Sequence, residues 1–344
     1  MLFRSYHVFV IQDQVQSPSA SPKVNIASPF ANDDGTNVTY GNDSYKNVSW
    51  ADKALSATSP LFLKGDSTKT YLTSGAGVGY QIMVSSFADS DGDGFGDIYG
   101  IDQKLDYLSA LGVNVLWLTP IQLSDSYHGY DITNYKLVDP KFGSKVSPAA
   151  ITAKTVTSDT ALSDYKQLIA DANQKGMAVI MDLVLNHTSN SNDWFIKSAQ
   201  LDPSYRGYYQ WGNHNTQSAI KEDNYWYPYG DHPYSYYAKF GSAMPELNYS
   251  YQATRDAVID MAKYWCSLGV NGFRMDAVKH IFLKDEVTTD KGDTIINDVS
   301  TSTEGKTLDY SSNLTKNLNF WKEINSAVKS SYPNAFFVGE NFDG

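Results

Sequence analysis

With 344 residues, 42% of them apolar and 19% charged, the chain can bury a sizeable core and is not a charge-dominated disordered polymer. A net charge of −11 argues against a surface built to hold nucleic-acid phosphates. One cysteine, Cys266, rules out an internal disulfide, and no apolar run reaches the ~18 residues of a membrane span.

Residues 1–76 open on a short apolar stretch that Gln and Asp interrupt, a poor secretion signal. Residues 12–59 are rich in Ser, Asn, Asp and Pro and show no sustained periodicity, so the whole segment reads as a linker or the remnant of a preceding module. Regular patterning begins near residue 77. GYQIMVSSF (79–87) reads as a strand, and Ile101, Leu105, Leu108 and Leu111 mark a helix that Gly112 stops. VNVLWLTP (113–120) is a second buried strand. A Ser/Thr/Ala-rich insert, 146–163, suits a surface loop. Tyr165, Leu168, Ile169 and Ala172 give a helix closed by Gly176, and MAVIMDLVLNH (177–187) is a third strand. Thr254 can cap a helix carrying Val258, Met261, Trp265 and Leu268, with Cys266 as a small core residue and Gly269 as the stop. VNGFRMDAV (270–278) is the fourth strand. Leu314, Leu318, Trp321, Ile324 and Val328 mark a helix, and AFFVGEN (335–341) the fifth strand.

Apolar strands alternating with amphipathic helices predict a parallel sheet. An irregular excursion, 188–253, rich in Tyr, Trp, Asn and Gly, separates the third strand from its helix. A (β/α)8 TIM barrel with an insertion domain at 188–253, incomplete here at about five β/α units spread over 77–187 and 254–344, fits best. No glycine-rich fingerprint follows the first strand, which disfavours a doubly wound dinucleotide fold. The aromatic content of 14%, with 25 tyrosines, suits stacking against flat ligands such as sugars, or simple filling of β-rich edges.

The fourth strand is unusually charged. Alternation puts Gly272, Arg274 and Asp276 on one face and Phe273 and Met275 on the other. An Arg–Asp pair there could serve only to fix the strand, since buried ion pairs are weak evidence for stability. It has company, however. The third strand ends in Asp182, Asn186 and His187, and the fifth in Glu340, so three successive strands bring carboxylates, an Arg and a His to one rim. Asp276, kept ionised by Arg274, suits a nucleophile, and Glu340, beside Phe337 and Val338, suits a general acid. Two carboxyls ~5–5.5 Å apart would make a retaining glycosidase.

DLVLNH, GFRMDAVKH and FVGEN, with MPELNY (244–249) and SYHGYDITNY (126–135), resemble the ordered signature motifs of the α-amylase family, glycoside hydrolase family 13. The resemblance runs from about residue 77 to 344. It implies a retaining hydrolase of α-1,4 bonds in starch or maltodextrins, with Asp276 as nucleophile and Glu340 as acid and then base. Arg274 would hold Asp276 ionised. His187 would hydrogen-bond the sugar being cleaved and Tyr130 would stack on it, with His128 and Asp131 nearby. Lys279 and His280 would contact the sugar on the leaving-group side, and Asp182 would support the site or take part directly. The alternatives are an oligo-1,6-glucosidase, cyclomaltodextrinase or transglycosylase of the same family, or a non-catalytic sugar-binding relative.

DSDGDGFGD (89–97) follows the first strand. Four carboxylates this close repel one another without a cation, and hard oxygen ligands on a tight loop suit Ca²⁺. An EF-hand would need Glu where Gly100 stands. Asp89, Asp91, Asp93, Asp97 and the Phe95 carbonyl are the expected ligands, and the loop resembles the calcium loop of many bacterial relatives. The family's other calcium site would use Asn186. The family's barrel has eight strands and a further catalytic Asp in an Asn-His-Asp motif, which does not occur among these residues. The 344 residues are therefore expected to behave as a fragment with little activity by themselves. The expected partner is an α-glucan; no pattern specifies an oligomeric state. The acidic surface and calcium loop favour secretion over a cytoplasmic location.

Overall fold

The computed structural model describes residues 8–11, 38–40, 43–45, 77–144, 158–212, 225–232, 234–283, 286–288, 294–296 and 315–340. Its main sheet has six strands: β1 (Val8–Ile11), β2 (Gly77–Ile82), β3 (Val115–Leu118), β4 (Ala178–Leu183), β5 (Gly272–Met275) and β6 (Phe336–Gly339). They lie side by side in chain order. β2 to β6 are parallel, and β1 pairs antiparallel with β2. A doubly wound sheet reverses its strand order at a switch point, whereas a barrel winds one way. The unreversed order from β2 to β6 is barrel winding.

Between these strands run α1 (Val84–Phe87), α2 (Ile98–Asp102), α3 (Leu105–Ala110), α4 (Asp159–Gln174), α5 (Asp193–Ala199), α6 (Gln252–Ser267) and α7 (Thr315–Lys329). α4 buries Ala161, Tyr165, Leu168, Ile169 and Ala172, the apolar stripe expected of a helix lying on a sheet. Gly176 and Gly269, just past α4 and α6, have φ of 76° and 104°, the left-handed geometry in which a helix stops at little cost to glycine. Cys266 is a buried free thiol, and burial pushes its pKa up to about 12.

The sheet is apolar on both faces, as a parallel sheet must be. Leu116, Leu118, Val179, Met181, Phe273 and Met275 pack outward into the large core shared with the helices. The alternate residues form a separate inner cluster of Val115, Ala178, Ile180 and Phe336, with Trp117 and Val338 against it. Gly272 belongs to that inner row. A Cβ there would sit 2.3 Å from the Phe336 carbonyl oxygen, so only glycine lets β5 and β6 come this close.

Several local expectations change. The first strand ends at Ile82, and the residues after Met83 turn into α1. The apolar spacing of 101–111 is split between α2 and α3, with a break at Gln103 and Lys104. Thr254 does not cap its helix: α6 begins at Gln252 behind Tyr251, so the Thr254 side chain is buried within the first turn. In the segment read as a linker, Val8–Ile11 joins the main sheet, and Val38–Tyr40 pairs with Asp43–Tyr45. Most of the 146–163 insert lies outside the described residues, although α4 starts within its last part.

The excursion after β4 folds around aromatic rings. Phe195 stacks on Trp211 at 5.5 Å and meets Tyr209 and Tyr236 edge-on at 5.1 and 5.0 Å. Part of the aromatic excess is therefore packing inside this insertion, not a sugar-binding surface. A bridge from His187 to Glu246 ties the insertion back to the end of β4, and one from Tyr209 to Leu247 joins two of its own segments.

Candidate active site

The inner row of the sheet is apolar at its base and charged at its C-terminal end. Ile180 lies beside Gly272, and two residues further on Asp182 lies beside Arg274, which in turn neighbours Val338. The next inward positions are Asp276 and Glu340, just past β5 and β6. Backbone bonds fix both: Asp276 N–H donates to the Leu183 carbonyl at 3.1 Å, and Glu340 N–H to the Met275 carbonyl at 2.9 Å.

Arg274 organises these groups. Its Nη1 donates to both Asp182 oxygens, at 2.8 and 3.0 Å, and to Asp276 Oδ1 at 2.7 Å. Its Nη2 is ion-paired with Glu340 Oε1. Trp117 covers the guanidinium, 5.0 Å from its ring, and donates from Nε1 to Asp182 Oδ2 at 3.1 Å. Tyr130 donates its hydroxyl to the same oxygen at 3.2 Å. Asp182 is fully buried, Arg274 and Asp276 nearly so, and the Glu340 side chain is 25% exposed at the opening.

One cation facing three carboxylates leaves excess negative charge in a poorly solvated place. Burial raises the pKa of Asp276, and Arg274 opposes it. Glu340 is also raised, by burial first, with Arg274 opposing and the Asp276 charge adding to the rise. The two carboxyls act on each other in opposite senses: Glu340 favours charge on Asp276, and the Asp276 charge favours the proton on Glu340. Asp182 is pushed up by burial, against Arg274. The arrangement puts two carboxyls with raised pKa values, Asp276 and Glu340, side by side in one opening on a single guanidinium.

The backbone is strained here. Ala277, immediately after Asp276, has φ 46°. The turn aims its N–H at Glu340 Oε2, 3.4 Å away. Non-glycine residues rarely occupy this region, and when they do it is often at functional sites.

The other predicted residues surround this group. His187 is buried, with Nδ1 3.0 Å from Asn186 Oδ1 and Nε2 3.1 Å from the Tyr130 carbonyl. Burial lowers its pKa to about 4, so the imidazole is neutral at pH 7 and can donate to only one of these two oxygens. His128 Nδ1 accepts the Tyr130 N–H at 3.1 Å, and Asp131 accepts from the Ser126 hydroxyl. Lys279 and His280 lie in the turn after β5, where the His280 N–H donates to the Ala277 carbonyl at 2.9 Å. Trp117 was missed: its place in an apolar strand gave no hint of a role, although its alternation with Leu116 and Leu118 puts it on the inner row.

The acidic loop is a separate centre. Asp89 accepts the N–H groups of Asp91, Gly92 and Gly94 at 3.1, 2.6 and 2.8 Å. Its pKa is lowered, chiefly by the Gly94 and Gly92 N–H groups. Asp97 binds Ser90 and caps α2 through the Gly100 N–H at 2.7 Å. Carboxylate oxygens of Asp89, Asp91 and Asp97 lie within 4.8 Å of one another. Asp93 is outside that group and accepts the Phe95 N–H at 2.7 Å. Asn186 donates its amide N–H to the His280 carbonyl and turns its oxygen to His187.

Comparison with known proteins gives these observations a context. The family described as "Alpha amylase, catalytic domain" matches residues 81–344. Alpha-amylase 3 of Dictyoglomus thermophilum is 38% identical over 267 residues, covering 77% of this chain and 43% of that protein. An oligo-1,6-glucosidase of Parageobacillus thermoglucosidasius is 38% identical over 213 residues, covering 59% and 34%. Among solved structures, the trehalose-6-phosphate hydrolase of Bacillus licheniformis superposes with TM-score 0.65 at 29% identity, over 78% of this chain and 44% of that one. The chain thus spans less than half the length of each of these relatives.

Proposed function

Since the chain belongs to the α-amylase catalytic-domain family of glycoside hydrolases, we propose that it carries the nucleophile and the acid of a retaining α-glucan hydrolase acting on α-1,4 bonds of starch or maltodextrins. The observation that supports this best is the grip of Arg274 on Asp276 at 2.7 Å, with Glu340 held by the other arm of the same guanidinium. Inverting enzymes hold their carboxyls ~6.5–9.5 Å apart to admit a water molecule. Here one guanidinium holds both Asp276 and Glu340, which draws the two carboxyls together.

In the first step Asp276 attacks the anomeric carbon while Glu340 passes its proton to the glycosidic oxygen, and the leaving sugar departs as an alcohol. In the second, Glu340, now a carboxylate, takes a proton from water. That water attacks the same carbon and frees Asp276. Arg274 keeps Asp276 ionised, Trp117 and Asp182 keep Arg274 in place, and Tyr130 borders the sugar. The test is the anomeric form of the first product from the full protein and maltoheptaose, followed by NMR. The α-anomer is expected, and the β-anomer would overturn the assignment.

The equal identity to an oligo-1,6-glucosidase supports a second reading, cleavage of α-1,6 bonds. Product analysis on maltoheptaose, pullulan and isomaltose separates the two.

For the acidic loop we propose Ca²⁺. Asp89, Asp91 and Asp97 bring hard carboxylate oxygens within 4.8 Å of one another. Asp93 and the Phe95 carbonyl would complete the shell. The ion would offset the loop's charge and hold it against α2, with no part in the bond-breaking steps. Asn186 could serve a second cation only if its oxygen turned away from His187.

A further inference from the structure

One strand of the main sheet runs against the rest. β2 to β6 are parallel and wind as a barrel, yet the outer edge of β2 is taken by β1, which is antiparallel to it. Four residue pairs make the contact: Val8 with Tyr80, Phe9 with Gly79, Val10 with Val78 and Ile11 with Gly77. A closed barrel has no edges, because its last strand pairs with its first. In a parallel barrel that last strand runs with β2 and uses the edge facing away from β3. The backbone shows which groups serve that edge. Val78 turns to β3: its N–H donates to Asn114 Oδ1 at 2.7 Å, and its carbonyl accepts the Asn114 N–H at 3.0 Å. The Ile82 carbonyl likewise accepts the Thr119 N–H at 2.9 Å. Alternation leaves Gly77, Gly79 and Gln81 to the outer edge. β1 pairs with the first two, so one edge cannot serve it and a closing strand together.

Gln81 gives an independent sign that β1 is not the final occupant. It lies level with Trp117, on the inner row. Its Oε1 is buried and has no hydrogen-bond partner among the described residues. A buried acceptor without a donor is costly. On the inner row of an edge strand, the donor has to come from the strand alongside. β1 offers none: its register stops at Tyr80, and Val8, Phe9, Val10 and Ile11 carry no side-chain donor. Its hold is also weak, since pairing residues 8–11 with 77–80 closes a loop through residues 12–76, and four residue pairs must offset that entropy. We propose that β1 is a displaceable cover for the closing edge of the barrel, held there until the strand that closes the barrel takes its place and brings a side-chain donor to Gln81. The order of synthesis favours such a device. β1 precedes β2 and is present as soon as β2 is made, whereas the closing strand of a barrel comes last. In the interval β1 keeps an edge paired that would otherwise template aggregation.

The experiment places Val10→Cys with Val78→Cys, which stand directly opposite and can be bridged, in the 344-residue chain and in the full protein. Cys266, the other cysteine, is buried. Val8→Cys with Val78→Cys is the out-of-register control. In the 344-residue chain the opposed pair should oxidise at least about tenfold faster than the control, because disulfide formation follows access. In the folded full protein the opposed pair should lose that advantage. If the full protein is instead oxidised while refolding, the bridge locks β1 in place. The locked form should then unfold at a lower temperature than its reduced form, and reductant should restore the midpoint. No advantage of the opposed pair in the 344-residue chain would overturn the proposal, and so would a locked full protein as stable as the reduced one. If the 344-residue chain precipitates, the midpoint of the locked full protein decides alone. Neither readout depends on activity, so failure of the glycosidase reading leaves the test intact.

Discussion

Two groups of carboxylates stand at the C-terminal side of the same sheet and are handled in opposite ways. At the barrel mouth, Asp182, Asp276 and Glu340 come from three different strands and share one guanidinium under a tryptophan. In the loop after β2, Asp89, Asp91, Asp93 and Asp97 are near neighbours in sequence, and their hydrogen-bond partners are local N–H groups and Ser90. Burial raises the pKa of the first group, while backbone donors lower that of Asp89. Burial by long-range folding thus raises carboxyl pKa values at the barrel mouth, whereas local N–H donors hold the exposed Asp89 down in the loop.

The sharpest way to break the comparison is to neutralise one carboxylate in each group. Asp276→Asn should lower turnover of maltoheptaose by about 10⁴-fold or more, because nucleophile and acid act as a unit. Sugar release by the full protein measures it, and residual activity above a hundredth of wild type would count against the role. Next comes Arg274→Met, which leaves the buried Asp182 and Asp276, and Glu340 at the opening, without a counter-charge. It should cost about 3–5 kcal/mol of stability, visible in chemical unfolding. Trp117→Phe keeps the packing but removes a hydrogen bond to the Asp182 carboxylate. A smaller loss of about 1.5–3 kcal/mol is expected.

In the loop, Asp91→Asn in the presence of a chelator should move stability by no more than about 0.5 kcal/mol, as for a surface substitution. The same change should abolish any rise in the unfolding temperature on adding Ca²⁺. If calcium stabilises wild type and variant alike, the loop does not hold it.

The smallest effect lies between α2 and α4. Asp102 is raised from 3.8 to about 6, by burial first and then by the neighbouring charge of Asp171 and a hydrogen bond with it. The folded state therefore holds this proton more tightly than the unfolded chain. Asp102 supports the fold fully below about pH 3.8, and that support is lost as pH rises through 6. Asp102→Asn should accordingly raise the unfolding midpoint by a few degrees at most near pH 7 and not at all below pH 4.

Much of this was legible from the sequence, and the gaps have physical causes. The alternation in Gly-Phe-Arg-Met-Asp placed Arg274 and Asp276 on the inner face because a strand's period is fixed. The end of β2 was misplaced because Met83, Val84 and Phe87 prolong its apolar residues with no glycine or proline between, and only the fold shows that the chain turns there. Thr254 looked like a cap because its hydroxyl suits one, but the helix began two residues earlier. Trp117 gave no sign at all: a tryptophan in an apolar run is indistinguishable from core until its neighbours Arg274 and Asp182 arrive from strands far away in sequence.

The left-handed Ala277 makes the site a place where greater stability and better catalysis pull apart. Glycine would adopt φ 46° without strain, and Ala277→Gly would relieve the native turn while giving the unfolded chain more freedom. The alanine, which is harder to dislodge from its one accessible geometry, keeps the N–H trained on Glu340 through each change in that carboxyl's protonation. A stabilising substitution at position 277 would, on the role proposed for Glu340, come with a looser hold on its carboxyl.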